Sequence, residues 1–166
     1  MNDECRGHKE LEELLETLKG LRVVFVGIGN PLSGDDGVGF YVARKLIKKG
    51  FGEYVVVAGP NPELHIRKIK EKKPDVLILI DAVDMGLKPG CILVAPVPGS
   101  EFKPVPISTH SIPLAILVDM LQVKTYLIGI QVEKIEFGAE MSRSVREAGD
   151  TITEIITSML SDRDVA

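Results

Sequence analysis

The chain has 166 residues, 45% of them hydrophobic, which is enough for one ordinary core and short for two domains. A formal net charge of −4 and a pI near 5.4, with lysines and arginines scattered among acids, exclude a basic face for nucleic acid. The longest unbroken apolar stretches, such as Val76 to Ile80, fall far short of the roughly 20 residues a membrane span needs, and the N-terminus is too polar for a signal peptide, so a soluble cytoplasmic protein is expected.

Two cysteines, Cys5 and Cys91, argue against a disulfide framework. Cys5 and His8 have a ligand-like spacing, but no second pair of thiols completes a zinc site. Cys91 reads as a small buried hydrophobe. Residues 8–19 place Leu11, Leu14, Leu15 and Leu18 on one face of a helix that Gly20 ends. Residues 1–20 are therefore taken as a helical extension, and 21–166 as a single α/β domain.

Residues 22–39, RVVFVGIGNPLSGDDGVG, give the rest of the chain its position. A β-branched and aromatic run from Arg22 to Val26 breaks into Gly27, Gly29, Asn30 and Pro31, the pattern of a buried strand ending in a tight loop. Val38, Tyr41, Val42 and Leu46 then recur at helical spacing, which puts Asp35 and Asp36 at a helix N-terminus. The dinucleotide fingerprint fails here because Leu32 stands where its third glycine belongs. A P-loop fails too, since Asp35 and Asp36 replace its lysine and hydroxyl residue. Two carboxylates repel the phosphate that a helix N-terminus attracts, and instead cap the helix or hold a cation. A cap needs one carboxylate, so Asp35 is the simpler cap and Asp36 the candidate for chemistry.

Tyr54 to Ala58 reads as a second buried strand, and Pro60 to Pro62 introduce a peripheral helix reaching about Lys73, on which His65 is an ordinary surface histidine. Asp75 to Ala82 is the most continuous apolar run, as expected of a strand covered on both faces in a parallel sheet. It ends in Asp81, a carboxylate without a simple structural duty on the rim where open α/β sheets bind ligands, whereas Asp84 in the following loop reads as structural. The turn at Lys88 to Gly90 leads into a strand over 91–97, expected antiparallel beside its predecessor. A proline-rich loop ends in STHSIPL, and helical periodicity follows from Leu114 to Leu121 with Ser111 as N-cap. His110 precedes that positive helix end, which favours a neutral imidazole able to ligate a metal. Thr125 to Val132 is the last strand, with Gln131 near its end, and 142–160 form a long helix that Ser142 can cap, before a frayed tail.

This order predicts a three-layer α/β/α sandwich with a twisted, mostly parallel five-stranded mixed sheet, in which the ends of the first and third strands are neighbours. Asp36, Asp81 and His110 would then meet in one open, wet notch. Two carboxylates and an imidazole suit a borderline divalent ion such as Ni, Zn, Mn or Fe, with positions left for substrate or water. Such an ion polarises a carbonyl and generates hydroxide, which is hydrolysis chemistry. No serine-nucleophile elbow and no His-Glu-x-x-His helix is present, leaving an unusual metal-dependent hydrolase. A non-catalytic module for a small molecule or nucleotide, and another metal-dependent peptidase such as an aminopeptidase, are the alternatives.

Four segments, GIGNPLSGDDGVG (27–39), LILIDAVDMGLKPG (77–90), STHSIPL (108–114) and LIGIQ (127–131), resemble those of the NiFe-hydrogenase maturation endopeptidases, above all the branch that matures the hydrogenase-3 large subunit. They lie in the family's order across residues 22–141. The resemblance implies an endopeptidase of aspartic or metal-assisted type that removes a C-terminal peptide from the large-subunit precursor after nickel insertion. Asp36, Asp81 and His110 match the family's catalytic and nickel-binding set, and nickel would be delivered in the precursor.

Overall fold

The computed structural model describes residues 5–98 and 111–164. Helix α1 (Gly7–Thr17) precedes strand β1 (Val23–Ile28), a 3-10 turn (Gly34–Gly37) and helix α2 (Val38–Leu46). Strand β2 (Val55–Gly59) leads through a second 3-10 turn (Pro62–His65) into helix α3 (Ile66–Glu71) and strand β3 (Val76–Val83). Strand β4 (Ile92–Pro96), helix α4 (Ser111–Leu121), strand β5 (Lys124–Gln131) and helix α5 (Arg143–Asp164) complete the order.

The strands form one sheet in the order β2-β1-β3-β5-β4. The first three pairings are parallel, while β4 runs antiparallel to β5, so the expected mostly parallel mixed sheet is what the chain builds. Every residue of β1 and β3 is buried, because helices cover both faces. On one face α1, α2 and α5 enclose a core containing Leu11, Phe25, Val42, Ile78, Ile128 and Ile152. On the other, α3 and α4 enclose Val24, Ile69, Leu77, Leu79, Leu117 and Leu127. The crossover from β1 uses one face and the crossover into β3 the other, which makes the C-terminal ends of these adjacent strands the switch point of the sheet.

Three expectations fail for identifiable reasons. Strand β4 is antiparallel but lies beside β5, not beside β3. Three of its five residues are half-buried and it ends in an exposed Pro96, which lacks an N–H for a ladder, so it takes the edge while the longer, more deeply buried β5 inserts next to β3. Helix α5 continues past Leu160 to Asp164, where a frayed tail was expected, because Arg163 Nη2 donates to Leu18 O at 3.0 Å. The cysteines are not independent: Cys5 and Cys91 form a disulfide with Cα atoms 5.3 Å apart. Each half read alone lacks the signal, since the partners stand 86 residues apart.

The disulfide secures α1 to the sheet edge. A β-carbon on Gly7 would lie 1.8 Å from Ile92 O, so the first turn of α1 rests directly on β4. Helices α2 and α5 are joined by Asp150, whose carboxylate accepts from Tyr41 Oη at 2.7 Å and Lys45 Nζ at 2.5 Å. Burial pushes the Asp150 carboxyl up, but Lys45 and Tyr41 outweigh it and hold it below the usual aspartate value. Among the described residues no helix is long and apolar enough to cross a membrane.

Replacing Cys5 by serine, or adding reductant, opens the loop closed by the disulfide. The expected loss is about 3 kcal/mol, or about 6 to 12 °C in melting temperature for a chain of this size. Thermal unfolding with and without reductant measures it, and superimposable melts would contradict it.

Candidate functional site

Close backbone approach builds the switch point. A β-carbon on Gly27 would lie 2.3 Å from Gly39 O, and one on Gly39 would lie 2.2 Å from Ile80 O and 2.3 Å from Ile28 O. Helix α2 therefore starts in direct contact with the backbones of β1 and β3, which only glycine at both positions permits. Residue 29 is tighter still. With φ at +124°, its missing β-carbon would stand 1.9 Å from Asp36 O and 3.7 Å from Asp81 Oδ1.

Asp36 and Asp81 thus border the same backbone position, one from the 3-10 turn after β1 and the other from β3. Each is oriented by a main-chain donor. Asn30 N–H donates to Asp36 Oδ2 at 2.9 Å, and Ala82 N–H donates to Asp81 Oδ1 at 2.8 Å. The open, wet notch expected from the sequence is not what surrounds them: Asp36 is 8% exposed and Asp81 has no exposed surface. Asp81 lies inside β3, two residues before the strand ends, where every residue is covered. His110, the third candidate, lies outside the described residues. Among the described residues no three histidine, cysteine or acidic side chains cluster closely enough to hold a metal ion. The two acids supply hard oxygen donors in fixed orientations, which is half of the donor set that a borderline ion takes from carboxylate and imidazole.

Asp35 has a different duty from its neighbour, and not the expected one. It does not cap its own helix, since Ser33 occupies the cap position and no side chain bonds there. Its fully buried carboxylate accepts from four donors: Glu133 N–H and Lys134 N–H at 2.8 Å each, Ser142 N–H at 2.6 Å and Ser142 Oγ–H at 2.8 Å. Asp35 N–H also donates to Lys134 O at 3.1 Å. The carboxylate is spent on the loop that leads into α5, and it neutralises the positive start of that helix.

Two further polar residues shape the rim. Gln131 is buried at the end of β5, where Oε1 accepts from Met85 N–H at 2.7 Å and Nε2 donates to Asp84 Oδ1 at 3.1 Å. Asp84 is thereby structural, as its loop position implied, and a lone polar residue closing an apolar strand was the sequence signal for Gln131. His65 is not the ordinary surface histidine expected: it is half-buried, with Nδ1 enclosed and without a hydrogen-bond partner among the described residues. Burial first, then Lys68, pulls its pKa below the ordinary imidazole value against the opposing pull of Glu63.

A doubly wound sheet with two aspartates at its switch point, and with acids where a phosphate loop carries lysine and a hydroxyl residue, offers carboxylates for hydrolytic chemistry and lacks the phosphate loop of a nucleotide binder. Comparison with known proteins makes this specific: a family model described as hydrogenase maturation protease matches residues 40–159, and the chain belongs to that family. It is 32% identical over 170 residues to a putative hydrogenase maturation protease of Methanocaldococcus jannaschii, covering 93% of this chain and 98% of that protein. It is 34% identical over 133 residues to the hydrogenase 3 maturation protease of Escherichia coli K12, covering 78% of this chain and 85% of that one. The crystal structure of the hydrogenase maturation protease HycI from Thermococcus kodakarensis KOD1 superimposes with a TM-score of 0.73 at 26% identity, over 90% of this chain and 99% of that one. HybD from the same organism gives 0.66 at 27% identity, over 84% and 99%.

Asp35→Ala removes the acceptor of four donors and is expected to cost about 3 to 5 kcal/mol of stability. Amide exchange at Glu133, Lys134 and Ser142 should rise with it. A denaturant melt and exchange rates equal to those of the native chain would contradict the assignment.

Proposed function

We propose that this protein is an endopeptidase that removes a C-terminal peptide from the large-subunit precursor of a NiFe-hydrogenase after nickel has been inserted. The observation that carries the reading is the approach of both Asp36, through its main chain, and Asp81, through its carboxylate, to the same side of Gly29, at the switch point of a chain that belongs to the hydrogenase maturation protease family. Nickel enters as part of the substrate, held by the precursor, and Asp36, Asp81 and His110 complete its coordination. Two oxygens and one imidazole nitrogen, with no thiolate among them, match an ion that arrives already bound to sulfur. A cytoplasmic site of action goes with this reading.

Cleavage needs a water attacking the scissile carbonyl carbon, a base that takes the water's proton, and transfer of that proton to the leaving amine nitrogen. A carboxylate of the Asp36 and Asp81 pair serves as that base. The main-chain N–H groups of Asn30 and Ala82 fix the two carboxylates before substrate binds, so neither has to be ordered during the reaction. The burial of both acids keeps competing bulk water away from the pair.

Incubation with candidate large-subunit precursors, with and without nickel, read by mass spectrometry at the C-terminus, tests the reading. Nickel-loaded precursor should lose a C-terminal peptide and nickel-free precursor should not. Asp36→Ala, Asp81→Ala and His110→Ala should each slow processing by at least about 100-fold. Full activity in all three variants would reject it.

A further inference from the structure

The rim beside the acid pair displays apolar side chains that the fold itself does not use. Phe137 is 78% exposed and Leu32 62% exposed, with Ile135 at 44% on the same loop as Phe137. Single exposed apolar residues are ordinary, but a group held rigidly beside a candidate site is not. Gly138 N–H donates to Leu32 O at 2.8 Å, and Asp35 ties the start and the end of the 133–142 loop to its own turn. Leu32 and Phe137 therefore stand on one stitched backbone unit, the same unit that carries Asp36. A buried carboxylate is used to stiffen a loop whose tip offers phenylalanine to solvent, and a side chain ordered in advance loses less entropy on binding.

Next to this unit a cleft of about 360 Å³ begins at Pro31 and Gly37 and passes Phe40 to reach Arg44 and Lys48. These last three residues recur one helical turn apart and form a stripe along α2 and its continuation. Lys45 in the same cleft is bonded to Asp150, whereas Arg44 and Lys48 have no ion pair among the described residues. A chain with net charge −4 thus presents a positive cleft beside its acid pair. From Gly37 to Lys48 the helix descends about 16 Å, a distance that about five extended residues cover.

We propose that this face seats the hydrogenase large-subunit precursor: Leu32 and Phe137 enter an apolar depression on it, and Arg44 and Lys48 meet an acidic segment of the same protein. This rests on the reading of the chain as a precursor-processing endopeptidase. Charge selects the occupant. A second copy of this chain in a two-fold contact would have to be self-complementary, and a cleft with free positive charge alone is not.

The test uses the full chain with nickel-loaded precursor, measuring the Kd by titration and kcat and KM by mass spectrometry. Leu32→Ser with Phe137→Ser, and separately Arg44→Glu with Lys48→Glu, should each raise Kd and KM by at least about 10-fold while kcat changes by less than about twofold. The charge-reversed pair should also invert the salt dependence of binding, because salt then screens a repulsion. All four substitutions are at the surface, and circular dichroism confirms the fold of each variant. Unchanged Kd and KM in both pairs would overturn the docking surface while leaving the endopeptidase intact. So would a native dimer in sedimentation that the Leu32→Ser and Phe137→Ser pair dissociates. Native protein that binds precursor through these residues without shortening it would uphold the surface and overturn the peptidase.

Discussion

The carbonyl oxygen of Asp36 lies 1.9 Å from where a β-carbon on residue 29 would stand, and Asp81 Oδ1 lies 3.7 Å from that same point. This approach sets the geometry of the rim. It exists because Gly27 and Gly39 let the start of α2 rest on the strands without intervening side chains, and because residue 29 adopts a backbone conformation suited to glycine. Any side chain at these positions would lift the turn that carries Asp36 away from β3 and separate the acids. Parallel pairing of β1 with β3 places the two strand ends side by side, and the glycines bring the turn down onto them.

Adjacent aspartates then take opposite duties. Asp35 turns toward the 133–142 loop and is saturated by four donors, which makes it a structural anchor. Asp36 turns toward Asn30, whose main-chain N–H donates to its carboxylate at 2.9 Å, and remains slightly exposed. The anchor serves the site because it fixes the turn from which Asp36 projects. A candidate catalytic group supported in this way is positioned by the fold, not by the substrate. The same anchoring holds the turn of Leu32 and the loop of Phe137 together, so the proposed docking residues and the candidate catalytic Asp36 stand on one bonded unit.

Much of this was legible in the residues. Continuous apolar runs announce β1 and β3 as central strands, and the shift from strand to helix spacing after Gly34 places the acid doublet correctly. The glycine and aspartate pattern also carries the family resemblance that the comparisons establish. What escaped the sequence is non-local. The four donors to Asp35 lie about a hundred positions downstream, so local capping rules assigned it to the wrong helix. The Cys5 and Cys91 bond and the insertion of β5 between β3 and β4 are likewise settled by tertiary competition. Pro96 could have marked β4 as an edge strand. The burial of Asp81 follows from its place within the covered part of β3, which a strand boundary misjudged by one residue conceals.

Joint action of the acid pair is the claim on which the chemistry depends. Its most direct measurement is a double-mutant cycle on single-turnover processing of nickel-loaded precursor, using Asp36→Asn, Asp81→Asn and both together. Two carboxylates serving one reaction centre predict a double variant no slower than the slower single variant. A double variant slowed by the product of the two single losses would mean that the acids act independently, and would contradict a shared site.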